Sequence, residues 1–275
     1  MPSQNIYLKT LYHIPPQNPG SKALTLLVEV GDAVLSLLWF DQQNLAVEGV
    51  SIHQIEESVD WESALKNYAV LEEIKNCKIF YNTKESLIVP QKYHDTLLNG
   101  QLLRLMYGEN AAVQIYENYV EKIEAWHIYR IESTIDALLK QTFIASTHHH
   151  ASVLQLTNPF EGNGLKCIFY QDSFKVLLFK AGALQLVQQF HFNTPEDVVY
   201  HLLNCCEQYE MKPTEMKLII SGLMMSDSNL FKLIYSYFLD VVFEVPDENI
   251  VLSTEINVFP SHFFSHLIAL ATCEL

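Results

Sequence analysis

One order of elements can be read twice along the chain, and this duplication constrains the fold more than any other feature of the sequence. After a loop holding Pro15, Pro16, Pro19 and Gly20, Leu24–Glu29 reads as a buried strand with Gly31-Asp32 as its turn. Val34–Phe40 and Leu45–Ile52 extend it into a meander around the polar turn Asp41-Gln42-Gln43-Asn44. Asp60 is positioned to cap a helix with Glu62 in its first turn and Trp61, Leu65, Tyr68, Leu71 and Ile74 as its apolar stripe. Cys77–Tyr81 and Leu87–Val89 read as strands, and Gln91–Met106 as a helix stopped by Gly108.

The second occurrence begins with strands at Leu165–Tyr170, Lys175–Phe179 and Leu184–Phe192, with Ala181-Gly182 as a tight turn. Thr194 is the N-cap candidate of the next helix, with Pro195 at its first position, Glu196 and Asp197 in its first turn, and Val198, Val199, Leu202, Leu203, Cys206 and Tyr209 at helical spacing. A strand at Lys217–Ile220, a helix at Asn229–Leu239 and a strand at Val241–Val245 complete it. The expected architecture is α/β, with residues 1–157 and 158–275 as two halves that meet near Asn158-Pro159. Each half is expected to hold a five-stranded mixed sheet flanked by helices, and the first an inserted segment near 111–131.

The charge balance narrows the class of partner. Seventeen basic against 32 acidic residues give a net charge of -15, which repels a phosphate backbone, so nucleic acid is not an expected partner. The most apolar stretch, Leu230–Phe243, is interrupted by Lys232 and Asp240 and falls short of the roughly 18 apolar residues of a membrane span. Met1–Thr10 lacks the apolar core of a secretory signal, so the cytoplasm is the expected location. The five cysteines, Cys77, Cys167, Cys205, Cys206 and Cys273, show no C-x-x-C spacing and read as reduced, packed thiols.

The repeated order resembles the duplicated ribonuclease-H-like domains of actin, hexokinase and the Hsp70 ATPase domain. More closely, the chain resembles an uncharacterised bacterial family with a degenerate actin-like ATPase fold. The residues that carry this are the meander at Leu24–Ile52, Ser86-Leu87-Ile88-Val89-Pro90, the stretch from Phe190 through Thr194-Pro195-Glu196-Asp197 to Tyr200, the Ile220-Ser221-Gly222 turn and Phe259-Pro260-Ser261-His262-Phe263-Phe264. Active members of the actin-like class hold magnesium ATP between two Gly-rich hairpins, each with an acid, and a paired-glycine turn near the adenosine. The resemblance therefore implies a nucleotide cleft at Glu29 and Gly31 of the first hairpin, Asp172 and Ser173 of the second, and Gly222. The pattern departs from the class at two places. The second hairpin, Phe169–Phe174, has no glycine, and Gly222 is followed by Leu223.

His148-His149-His150 invites a metal reading, but neighbouring residues on one strand or helix point different ways and cannot chelate together. No G-x-S-x-G elbow, P-loop or G-x-G-x-x-G fingerprint is present. Phe259, Phe263 and Phe264 are either a docking surface or the seal of the second half. Three functions are compatible with these residues. The leading one is a non-catalytic actin-like pseudo-ATPase, without a cofactor, that acts as a protein-interaction or scaffold module. The alternatives are a magnesium-nucleotide ATPase or switch, and a small-molecule sensor that uses the inter-domain cleft.

Overall fold

The computed structural model describes residues 8–18, 21–55, 61–66, 76–144, 146–152 and 160–272. The chain divides into two compact units: Met1–Thr157 with Asn249–Ile256 and Leu270–Leu275, and Asn158–Glu248 with Asn257–Ala269. Residues 249–256 and 270–275, which the sequence pattern places in the second half, thus belong to the first unit.

The first unit is built on strands β1 (Leu8–Ile14), β2 (Leu24–Gly31), β3 (Val34–Asp41), β4 (Ala46–Ile55), β5 (Asn76–Asn82), β6 (Ser86–Pro90), β7 (Val113–Val120), β8 (Ala125–Glu132) and β9 (Ser146–His150). Its helices are α1 (Trp61–Lys66), α2 (Asn99–Tyr107) and α3 (Ser133–Thr142). The main sheet runs β1-β4-β3-β2-β5-β9. The meander β2-β3-β4 is antiparallel, whereas β2 with β5 and β5 with β9 are parallel. Every residue from Leu24 to Val30 and from Val34 to Asp41 is buried, as expected of central strands covered on both faces, which read as continuous apolar runs. A fully buried Leu or Val contributes about 1.5–3 kcal/mol, so β2 and β3 are a large source of stability in this unit, with β5, β8 and α3 completing its core.

The second unit comprises β10 (Gly164–Phe169), β11 (Ser173–Lys180), β12 (Ala183–His191), α4 (Pro195–Gln208), β13 (Lys217–Gly222), α5 (Asn229–Tyr235) and β14 (Asp240–Phe243). Its sheet runs β12-β11-β10-β13-β14, with the first three strands antiparallel and β10-β13-β14 parallel. This is the order and the direction of β4-β3-β2-β5-β9, so the duplication is real at the level of topology. Helix α4 closes one face by burying Val198, Val199, Leu202, Cys205 and Cys206 against Leu165, Cys167, Val176 and Leu218. The chain ends with β15 (Val251–Leu252), which pairs parallel to β4, and α6 (Ser265–Thr272).

Several expectations are corrected. The first sheet has seven strands rather than five, because β1 and β15 add to the meander side. Leu87–Val89 does not join it. As part of β6 it forms a separate three-stranded sheet, β6-β8-β7, whose Val89 and Ile128 pack on Leu103 of α2. The insertion therefore spans β6 to β8 rather than 111–131, and α3 and β9 supply the second crossover. The expected helix over Gln91–Met106 is a 3-10 turn at Gln91–Tyr93 followed by α2. Asp95 breaks it, because its Oδ1 accepts the Leu97 N–H at 2.9 Å and its carbonyl accepts the Leu98 N–H at 2.9 Å. Helix α2 stops where expected, at Gly108 with φ 83°, whose N–H caps the Arg104 carbonyl. Of the first-half helix only Trp61–Lys66 is described. Asp60, Tyr68, Leu71, Ile74 and the junction Asn158-Pro159 lie outside the described residues.

Thr194 caps α4 as a reciprocal box. Its Oγ1 accepts the Asp197 N–H at 3.3 Å, and Asp197 Oδ2 accepts the Thr194 and Asn193 N–H groups at 2.9 Å. The backbone bonds from Asn193 and Thr194 lower the Asp197 pKa. Thr194→Ala is expected to cost about 1 kcal/mol in urea unfolding, and a change within experimental error would contradict the capping role.

Candidate functional site

Glu29 does not sit at a hairpin tip. It lies inside β2, paired with Ser36 of β3 and Phe80 of β5, and it is fully buried. Ser36 Oγ donates to its Oε2 and Asn82 Nδ2 to its Oε1, each at 3.0 Å. The carboxylate is thus tied to the two strands that flank β2. Gly31 ends β2 half-buried, where a Cβ would stand 2.8 Å from the Asn82 carbonyl oxygen. The exposed acid of this hairpin is Asp32, whose Oδ2 accepts the Lys84 N–H at 3.3 Å.

Gly31 and Asp32 border a cavity of about 220 Å³ in the first unit, together with Thr83, Asn110, Arg130 and Glu132. Arg130 is buried and serves as a bracket. Its Nε meets Glu85 Oε2 at 2.5 Å, and its two Nη groups donate to the carbonyls of Gly108 and Tyr107 at 2.8 and 3.2 Å, tying β8 to the end of α2.

A second polar centre of the first unit was not legible in the sequence. Asp136 of α3 accepts Tyr81 OH at 2.7 Å and Tyr116 OH at 2.6 Å on Oδ1, and Lys140 Nζ at 2.8 Å on Oδ2. Tyr81 OH also meets His148 Nδ1 at 2.9 Å, and His148 Nε2 meets Ser146 Oγ at 2.8 Å. Burial pushes the Asp136 carboxyl up, but the bonds from Lys140, Tyr116 and Tyr81 outweigh it and hold the pKa below its ordinary value. Burial, then Asp136, pushes the Tyr81 phenol well above its ordinary value. The network joins β5, β7, α3 and β9, from Tyr81 to His148 along the chain, so only folding assembles it.

In the second unit the carboxyl ends of β10 and β13 lie side by side, with Phe169 paired to Gly222 and, across the hairpin, to Phe174. The structure thus brings the Asp172-Ser173 hairpin and the Gly222 turn to one end of one sheet. Asp172 is half-buried, and its carbonyl accepts the Phe192 N–H at 3.0 Å. Ser173 is fully buried. Gly222 has φ 81°, and a Cβ there would lie 2.1 Å from the Phe169 carbonyl oxygen, which also accepts the Leu223 N–H at 2.8 Å. Glycine is required at this position by the neighbouring strand itself.

The three histidines of β9 go separate ways. His148 meets Tyr81, His149 lies by Phe80, and His150 Nε2 reaches the Thr83 carbonyl at 3.1 Å. Among the described residues no group of three or more His, Cys, Asp or Glu is arranged to hold a metal. Cys77, Cys167, Cys205 and Cys206 are buried free thiols, and burial raises the pKa of each. Cys273 lies outside the described residues. Phe263 and Phe264 are buried and so offer no exposed docking surface, while Phe259 is half-buried with its ring 6.2 Å from that of Phe264.

Two units with one strand order, each an antiparallel meander followed by two parallel crossovers, define a duplicated actin-like ATPase fold. Solved structures agree. A protein of Bacteroides thetaiotaomicron with actin-like ATPase fold and unknown function is similar with a TM-score of 0.74 at 18% identity, over 94% of this chain and 100% of that one. The PilM-PilN type IV pilus biogenesis complex is similar with a TM-score of 0.62 at 10% identity, over 92% of this chain and 98% of that one. No curated protein matches the chain in sequence. The family model for DUF3822, a protein of unknown function, matches residues 17–241, and the chain belongs to that family.

Proposed function

We propose that this chain is a non-catalytic member of the actin-like ATPase fold that works as a cytoplasmic protein-interaction module. The observation that carries this reading is the fate of Glu29. Both of its oxygens are engaged inside the sheet, so the first hairpin offers no inner acid to a metal's water shell. Gly31 and Gly222 answer to close contacts with Asn82 and Phe169, which accounts for both glycines without a ligand. The net charge of -15 argues against a nucleic-acid partner. No helix among the described residues is long and apolar enough to cross a membrane. One structural neighbour, PilM, is itself seen in a complex with another protein. The alternative reading, a magnesium-nucleotide switch, draws on Asp32, which is exposed and borders the first-unit cavity.

The two readings separate in a melting experiment. With magnesium ATP added to the purified chain, the melting temperature is expected to stay where it was, because only a ligand of the native state raises it. A site filled at a hundred times its dissociation constant would add about 2.7 kcal/mol and be plainly visible. A rise abolished by Asp32→Ala together with Asp172→Ala would replace this reading with the nucleotide switch. Glu29→Ala is unsuitable for that test, since it leaves Ser36 and Asn82 buried without their acceptor.

A further inference from the structure

We propose that the outer edge of β7 is a docking site for an extended, basic and apolar segment of a partner protein, which adds to the β6-β8-β7 sheet as a fourth strand. The proposal rests on the protein-interaction reading and supplies the chemistry of the partner.

Exposed sheet edges invite pairing, and proteins blunt them by shortness, bulges, proline or lysine. Among the described residues each other edge carries such a device. Strand β1 holds Lys9 and a register shift between Thr10 and Tyr12. Strand β6 has five residues and ends in Pro90, and β9 and β14 have five and four. The pairing of β12 is interrupted by a shift at Leu178/Phe179. Strand β7 has none of these. It runs for eight residues without Pro, Lys or Arg, and its register with β8 is unbroken from Val113↔Glu132 to Val120↔Ala125. Among the described residues no strand pairs with its other side.

The side chains favour one kind of occupant. Val113, Ile115, Glu117 and Tyr119 alternate onto one face, and Ile115 and Tyr119 remain 45% and 46% exposed, so a strand laid along β7 would find apolar neighbours across the ladder. Glu117 is already bonded by His94, Thr96 and Asn99, but Glu121 and Glu124 outnumber Lys122 in the turn that follows the strand, and the chain as a whole carries -15, so the complementary strand is basic. A second copy of this chain would set like charges against each other, which argues against self-pairing along β7. Strand addition gains affinity from main-chain hydrogen bonds and selectivity from alternate side chains.

The test uses the full chain and a synthetic peptide of about ten residues alternating Lys with Val, read by hydrogen exchange. Bound peptide is expected to slow the amides of 113–120 roughly ten-fold, more weakly at high salt. The matched peptide with Glu for Lys is expected to give no slowing. Ile115→Lys and Tyr119→Lys, which blunt the edge at exposed positions, should each abolish the protection, whereas Leu105→Lys on the exposed side of α2 should leave it intact. Unchanged exchange over 113–120, or equal slowing by the acidic peptide, would overturn the proposal. So would a concentration-dependent dimer that Ile115→Lys dissolves, since the occupant would then be a second copy. The interaction reading fails on a different measurement, a rise in melting temperature with magnesium ATP, so the two failures are distinguishable.

Discussion

Gly222→Ala is expected to destabilise the second unit by about 4 kcal/mol, as the sum of a left-handed backbone forced on a residue with a Cβ and overpacking against a rigid neighbour. The added carbon would lie 2.1 Å from the Phe169 carbonyl oxygen and 2.9 Å from its nitrogen, both main-chain atoms of the adjacent β10. Neither can swing aside as a side-chain tip does, and moving β10 disturbs its pairing with both β11 and β13. Gly162→Ala provides the control. Gly162 also has positive φ, 77°, but a Cβ added there would meet no atom within 4 Å, so it carries the backbone cost alone, about 1–2 kcal/mol. Urea unfolding followed by circular dichroism reads both, and equal losses would show that contact with β10 does not determine the glycine at 222.

Asp136→Ala is expected to cost about 3 kcal/mol in the first unit, because it leaves two phenols and an ammonium without the acceptor they share. All three tryptophans of the chain, Trp39, Trp61 and Trp126, lie in this unit, so their fluorescence follows its unfolding. The pH dependence has a definite sign. The folded pKa of Asp136 is lowered, so its contribution is present above the ordinary carboxylate range, about pH 4, and is lost as pH falls through the folded value. Tyr81 has the opposite sign. Its folded pKa is raised, so its contribution is complete below about pH 10 and is lost as pH rises above that. The wild type should therefore lose stability more steeply below pH 4 than Asp136→Ala does. Parallel acid limbs would show that Asp136 is not held as a charged acceptor.

Local pattern alone accounts for a large part of this protein. Buried runs such as Leu24–Val30, the cap at Thr194, the stop at Gly108 and the repeated order of strand and helix all follow from spacing and turn chemistry over a few residues, and the repeated order carried the resemblance to a duplicated actin-like fold. What depends on residues far apart in the chain was settled by folding. The acid-x-Gly pattern at Glu29 and Gly31 reads the same whether the carboxylate faces a ligand or the sheet, and only pairing with Ser36 and Asn82 turned it inward. The same holds for Gly222, whose reason lies in Phe169, 53 positions earlier, and for the meeting of Tyr81, Tyr116, Asp136 and His148. A strand's alternation shows which residues share a face, but not which strand lies beside it, so the open edge of β7 was equally invisible. Neighbours in a sheet are chosen by the packing of the whole chain, and that choice fixes which polar groups of this protein are consumed within the fold and which face outward.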